Sequence, residues 1–396
     1  NRQAFAALKN DGSVVTWGGG FGQDSSSVDL SSDVQTIYSN YVAFAAVKSD
    51  GSVVTWGQGV GGGDSSSVDF SSGVKEIYSS HYSFAALKND GSMVAWKDAA
   101  QGGDSSSVDF TGGVISATAV GVGGYAALKS DGSVVSWGNN SDTSSVDFNG
   151  GVKQLFSNPY AFAAIKTDGS VVTWGNSFGG NSSSVDFTGG VKNIYSNERA
   201  FAAIKGDNSV VTWGDSGYGG NSTGVDFSGG VKTIYSTQAA FAALKLDGSV
   251  VTWGFNGYGG DSSGVDFSGG VKEIYSAGSS FAALKNDGSV VTWGYGPNGG
   301  DSSGVDLSSN VETIVSTITA FAALKNDGTV VTWGNSATGG DSSGVDFSGG
   351  VKAITSSGNY AFSALKNDGS VVTWGGTSDT PATAQPLITL VETSIP

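Results

Sequence analysis

The 396-residue chain holds one histidine, no cysteine and 35 acidic side chains against 19 basic ones, and that inventory limits its chemistry. Without thiols, disulfides and thiolate metal sites are excluded. His81 stands alone in the stretch SHYS, with no Ser and Asp arranged around it as a nucleophile needs, and a three-histidine metal site is impossible. A carboxylate pair for glycoside hydrolysis is the remaining catalytic option. Nearly every aspartate recurs at a fixed place in a repeat, whereas a catalytic pair should depart from it. Only Asp98, Asp215 and Asp379 do so noticeably, and the residues predict a protein that is not an enzyme. Calcium is the sharper idea for the acidic surplus. Segments such as GGDSSGVDF (259–267) place hydroxyls between Asp261 and Asp266. Calcium takes six to eight oxygens, and this spacing matches neither an EF-hand nor a glycine-rich nonapeptide loop. Turn capping is the simpler reading, so no cofactor and no metal site is expected.

The formal charge of −16 repels nucleic acid and anionic lipid and removes both from the expected partners. No apolar run approaches the roughly 18–20 residues of a membrane span. The 64 glycines, abundant Ser and Thr and acidic balance resemble the composition of secreted bacterial repeat proteins, so the expected location is extracellular or at the cell surface. The opening NRQAFAAL reads as the start of a processed product or of a fragment. Lys9, Lys48, Lys88 and their equivalents down to Lys366 each precede a turn aspartate by two residues. Local pairing with that aspartate is expected, and exposed pairs of this kind contribute little stability.

The elements that must position any site come from a repeat. All ten tryptophans, from Trp17 to Trp374, recur at a spacing near 40 residues, which points to a propeller or a β-solenoid. In one copy VKEIYS (271–276), FAALK (281–285) and VVTWG (290–294) each read as a strand. Asp287-Gly288 between the last two predicts a type I′ hairpin turn, and Asp207-Asn208 in the sixth copy fits because asparagine also accepts positive φ. Phe281 and Ala283 face one way, Ala282 and Leu284 the other; Val290 and Thr292 oppose Val291 and Trp293. Both faces are largely apolar, so the hairpins should be covered on both sides, as in stacked blades. Lys272 and Glu273 suit an exposed outer edge strand, and SVDF or GVDL segments are candidates for a fourth strand. LITLVE (387–392) aligns with VKEIYS, which predicts that the C-terminal strand within 381–396 pairs beside Ala4–Lys9. The expected fold is all-β: one ten-repeat β-propeller over 1–396, of about ten blades with three to four antiparallel strands each, closed by that last strand. An open spiral or two smaller rings are the alternatives.

Two loops in each copy vary while the Asp-Gly turn and VDFSGGVK barely change. Strand direction puts both variable loops, after IYS and after VVTWG, at one end and the constant turns at the other. The variable loops carry Phe21, Tyr41, His81, Tyr82, Tyr160, Phe178, Arg199, Tyr218, Phe255, Tyr258, Tyr295 and Tyr360. Aromatic residues and arginine dominate recognition surfaces, so these are the candidate binding residues. Phe178, Tyr218 and Tyr258, each just before Gly-Gly, can equally fold back on their own loops. The third copy is irregular, with Met93, Ala95 and Lys97 replacing Val, Thr and Gly.

The core ALKNDGSVVTWG (283–294), held in register through ten copies to Gly375, resembles the repeat of the regulator-of-chromosome-condensation family. It is most similar in look to that family's short-repeat bacterial members, among them propeller-type β-lactamase inhibitors and secreted repeat arrays. The family's Gly and His before the "AL" strand are missing here; YSTQAAFAAL (235–244) has Thr, Gln and Ala. No residue set maps onto the nucleotide-exchange face of the chromatin-bound members. The resemblance implies a propeller and a binding role, and transmits no partner. The expected function is a non-catalytic binding or scaffold propeller that recognises a protein through its variable loops or builds a surface assembly. A multivalent lectin that recognises glycan, and a secreted enzyme inhibitor, are the alternatives.

Overall fold

The computed structural model describes residues 4–376, apart from 10, 19, 21, 23 and 357–359. Phe21, Asp379 and the expected closing strand within 381–396 lie outside the described residues. The chain forms two compact units, one reaching Thr143 and the other spanning Ser144–Gly376. The first holds four antiparallel sheets and the second six, and in every sheet the strands are neighbours in the order they occur in the chain. The first sheet pairs Ala4–Leu8 with Val14–Gly18; every other has three strands, such as Val34–Ser39, Ala43–Lys48 and Val53–Gly57. The helical content among the described residues is six 3-10 turns of three residues, Ser216–Tyr218 for example. This tandem of short antiparallel sheets is consistent with a propeller. The SVDF and GVDL segments form turns and extended backbone rather than a fourth strand.

The expected faces hold. In the second unit Ala240, Ala242 and Leu244 of one middle strand pack against Val271, Ile274, Phe281, Ala283 and Trp293 of the next sheet. Ala282 and Leu284 then meet Val311, Ile314, Phe321 and Trp333 in turn. Each middle strand thus sends a flat face of small residues forward and a ring-bearing face back, which lets sheets stack closely. The tryptophan is fixed from three sides. Trp293 stacks on its cross-strand partner Phe281 with ring centroids 5.1 Å apart, and Phe267 meets it edge-on at 5.3 Å. Its Nε1–H donates to the carbonyl of Gly259, 34 residues earlier, at 3.1 Å. Gly259 has φ +95°, and a Cβ there would lie 2.6–2.9 Å from the Phe281 ring, so only glycine fits. In the first unit Trp56, Trp96 and Trp137 make the same bond to Gly22, Gly62 and Gly102.

Three expectations need correction. The hairpin turn is not type I′. Gly288 N–H donates to Lys285 O and Lys285 N–H to Ser289 O, with positive φ at Gly288 alone. That is a type I turn closed by a left-handed glycine, which leaves Asp287 right-handed. Its Oδ1 then accepts both the Ser289 N–H and the Ser289 hydroxyl. Asn208 takes the glycine's place with φ +67°. Secondly, the lysines do not pair with that aspartate. Lys48, Lys325 and Lys366 reach the aspartate of the preceding VDF or VDL segment, Asp29 at 3.2 Å, Asp306 at 3.5 Å and Asp346 at 3.7 Å. Thirdly, the VKEIYS strand is an edge strand but not an outer one. Its terminal serines bond across sheets, Ser236 Oγ to Ser196 O and Ser316 Oγ to Ser276 O, so successive sheets meet along it. Its lysine is harmless there because a β-bulge lies between Val271 and Glu273, and Lys272 is exposed.

Candidate functional site

Within each unit the sheets have a turn end and a loop end. At the loop end five tips after first strands each donate a backbone N–H to the carbonyl of the equivalent tip in the following repeat. Tyr41 donates to His81 and His81 to Gly121 in the first unit; Glu198 donates to Gln238, Gln238 to Gly278 and Gly278 to Ile318 in the second. At several tips a side-chain clamp ties the tip to the loop after the third strand. Asn197 accepts the N–H groups of Arg199 and Ala200 on Oδ1 and donates Nδ2–H to Tyr218 O at 2.6 Å. Asn158 does the same for Tyr160, Ala161 and Phe178, Asn40 reaches Gly61, and Thr237 reaches Tyr258. The variable loops are therefore rigidly seated, as a recognition surface requires.

The ladder and clamps gather the candidate residues into two clusters. In the first unit Tyr41 stacks on His81 with centroids 4.0 Å apart, and Tyr82 stands edge-on to both at 6.0 and 6.4 Å. The His81 ring lies over Gly121, where a Cβ would come 2.5 Å from Nε2. Tyr41 and His81 are half-buried and Tyr82 is exposed. In the second unit the Arg199 guanidinium carbon lies 4.7 Å from the Phe178 ring centroid, 4.8 Å from Tyr218 and 5.9 Å from Tyr160. Tyr160 and Phe178 are themselves edge-on at 5.7 Å. Cation–π contact of this kind holds a guanidinium flat against a ring face. Phe178 and Tyr218 thus both cover their loops and line the cluster. Phe255 is exposed and meets half-buried Tyr258 edge-on at 5.3 Å. Tyr295 and Tyr360 are exposed.

The flagged carboxylates have structural work. Asp98 accepts the Ala100 N–H and Asp215 the Gly217 N–H, each capping a 3-10 turn. Asp261 and Asp266 close separate turns on Ser263 and Ser268, and among the described residues no three acidic or histidine side chains gather as metal ligands. Sequence reasoning passed over Glu198, whose half-buried carboxyl is raised by burial and partly lowered by neighbouring Arg199, and Pro159, the ladder position without an N–H. It also passed over the clamp asparagines, although their recurrence at the end of every tip was visible as N, S, T or A in one column. Along the first strands Tyr275 donates to Glu273 at 2.8 Å; burial first, and that acceptor second, push its phenol up to about 12.

No protein-family model matches the chain, and no curated protein does. Among solved structures it is similar to the ectodomain of the receptor kinase CR4 from Physcomitrella patens, at 14% identity and TM-score 0.39, over 66% of this chain and 73% of that one. It is similar to the CRINKLY WD40 ectodomain of the receptor kinase ACR4 from Arabidopsis thaliana, at 18% and 0.38, over 66% and 93%. It is also similar to Prp20p of Saccharomyces cerevisiae, a protein with binding properties to Gsp1p and histones, at 15% and 0.37, over 88% and 84%.

Proposed function

We propose that the chain is a non-catalytic, cofactor-free binding propeller, extracellular or at the cell surface and of bacterial, short-repeat type, that recognises a protein partner through its loop end. The observation that carries this reading is the pair of ring clusters, Tyr41–His81–Tyr82 and Arg199 with its aromatic neighbours, built on loops that the asparagine clamps hold in place. Preorganised aromatic and arginine side chains are the usual anchors of protein interfaces. The composition without cysteine, rich in Gly and acidic, supports the location. Closure of all ten repeats into one ring through the C-terminal strand belongs to the same reading: the first sheet has two described strands where the others have three. A scaffold role in a surface assembly uses the same loops.

Secreted proteins of the producing organism, passed over immobilised wild-type chain, over Tyr82→Ala/Tyr295→Ala and over the turn-end variant Leu246→Ala, test it. The expected result is a saturable protein ligand kept by wild type and Leu246→Ala and lost by the loop-end variant, with all three melting alike. Equal retention by all three overturns the assignment of the surface. Saturable binding on a glycan array with no protein ligand replaces it by the lectin reading.

A further inference from the structure

Arg199 is the sole arginine among the described residues, since the other is Arg2. Its guanidinium is clamped between the faces of Phe178 and Tyr218 at 4.7 and 4.8 Å, so hydrogen bonding is left to its edge. That edge is unspent. Nε is buried without a hydrogen-bond partner, and the one ion pair, Nη1 to Asp215 Oδ2, is 4.0 Å long with the Arg199 side chain one-third exposed. Asp215 is held at that distance because its Oδ1 caps the Ser216–Tyr218 turn through the Gly217 N–H at 2.9 Å. Glu198, next in the chain, forms no ion pair with it among the described residues. The ladder also breaks here, since Pro159 has no N–H to give the Glu198 carbonyl, leaving that tip free of its neighbour on one side. A guanidinium stacked on both faces and short of acceptors is preorganised for a planar, two-pronged acceptor. The surrounding rings suit an apolar flank rather than a second charge, and the −16 net charge disfavours a dianion.

Resting on the protein-binding reading above, we infer that Arg199 receives the carboxylate of a partner's Asp or Glu side chain, taken end-on by the Nη groups between the rings of Phe178 and Tyr218. Selective 15N-arginine labelling gives two side-chain Nε–H resonances, and Arg199→Lys assigns them. The probes are the capped peptides Ac-Ala-Glu-Ala-NH2, its Gln counterpart and its phosphoserine counterpart. The expected result is a saturable shift of the Arg199 resonance with the Glu peptide in the millimolar range, none with the Gln peptide, and a smaller one with phosphoserine. Asp215→Asn should strengthen the Glu peptide by about two- to fivefold, the size of an exposed ion-pair effect. No shift, equal shifts with Glu and Gln, a larger response to phosphoserine, or a shift no greater than that of Arg2 overturns the assignment. Should the peptide fail while the secreted ligand is still lost by the Tyr82→Ala/Tyr295→Ala variant, the carboxylate site falls and the binding surface stands.

Discussion

The two ends of the sheets are built from the same strands and solve opposite problems. At the turn end the copies share one device: an aspartate that accepts the serine or threonine two residues on, and a left-handed residue, glycine except for Asn208, that closes the hairpin. At the loop end the clamp is constant in role and variable in residue, with Asn158, Asn197, Thr237 or Thr317 in one position. The turn closes within five residues, and its glycine carbonyl then takes the same backbone bond from the next repeat in copy after copy, Gly51 O from Val74 and Gly288 O from Val311, so identical copies work everywhere. The loop end must reach the adjacent loop and the next repeat, which leaves the outward side chains free to differ. Backbone bonds tie both ends to the next repeat, and the surface that individualises ten near-identical units is carried by the end whose loops differ in residue.

Removing a clamp should break that contrast most severely. Asn197→Ala leaves buried backbone groups of Arg199, Ala200 and Tyr218 without their partner and should cost about 2–3 kcal/mol, read by denaturant unfolding. Hydrogen exchange should speed up at 197–200 and stay unchanged at the Asp207–Ser209 turn. At the turn end, Gly288→Ala forces a Cβ into φ +80° and should cost about 1 kcal/mol, while Asn208→Gly should stabilise by a few tenths.

Individual carboxyls titrate in opposite senses. Asp29 and Asp306 are lowered to about 2, first by the hydrogen bonds from Ser31 and Ser308 and then by Lys48 and Lys325. Carboxyls lowered on folding stabilise above their unfolded value of 3.8 and lose that contribution as pH falls through about 2. Glu198, raised by burial, does the reverse: its ionisation opposes folding, and the penalty disappears as pH falls below 4.5. Glu198→Gln should therefore melt higher than wild type at pH 7, with the gap closed by pH 4; a gap constant with pH would sink this assignment. The smallest effect belongs to Lys97, which ends its strand at φ +79° where other copies have glycine, and pairs with Asp64 at 3.1 Å. Lys97→Gly relieves the left-handed strain and loses an exposed ion pair, a net change within about 1 kcal/mol measurable by thermal melting.

Strands, faces and the segregation of constant from variable ends were legible because each is set by alternation and chain direction, as Phe281/Ala283 against Ala282/Leu284 shows. The turn type was not, since Asp-Gly serves both a two-residue turn and a longer one; the following Ser289, able to occupy Asp287, was the discriminating residue. Lysine partners were missed because the aspartate, 19 residues upstream of Lys48 or Lys325, comes beside the lysine only in the fold. The ring clusters were legible as a set of residues and not as groupings: Tyr41 and His81, or Arg199 and Phe178, come from loops of adjacent repeats, brought together by the tip-to-tip bond in the first case and by the Ser196–Ser157 and Trp213–Gly179 bonds in the second.

The tryptophan that donates to a glycine 34 residues earlier has a consequence for how the array comes apart. Within each unit successive sheets are latched by the same catch, from Trp56 to Trp137 in the first and from Trp213 to Trp374 in the second, so loss of one repeat releases the ring of the next, and unfolding within a unit should travel as a front rather than scatter. Such an array behaves as a row of coupled switches, with cooperativity set by the latch and not by the individual sheet. Pro159, which removes one rung of the second latch line, is the place where that front should slow its neighbours least and start most readily.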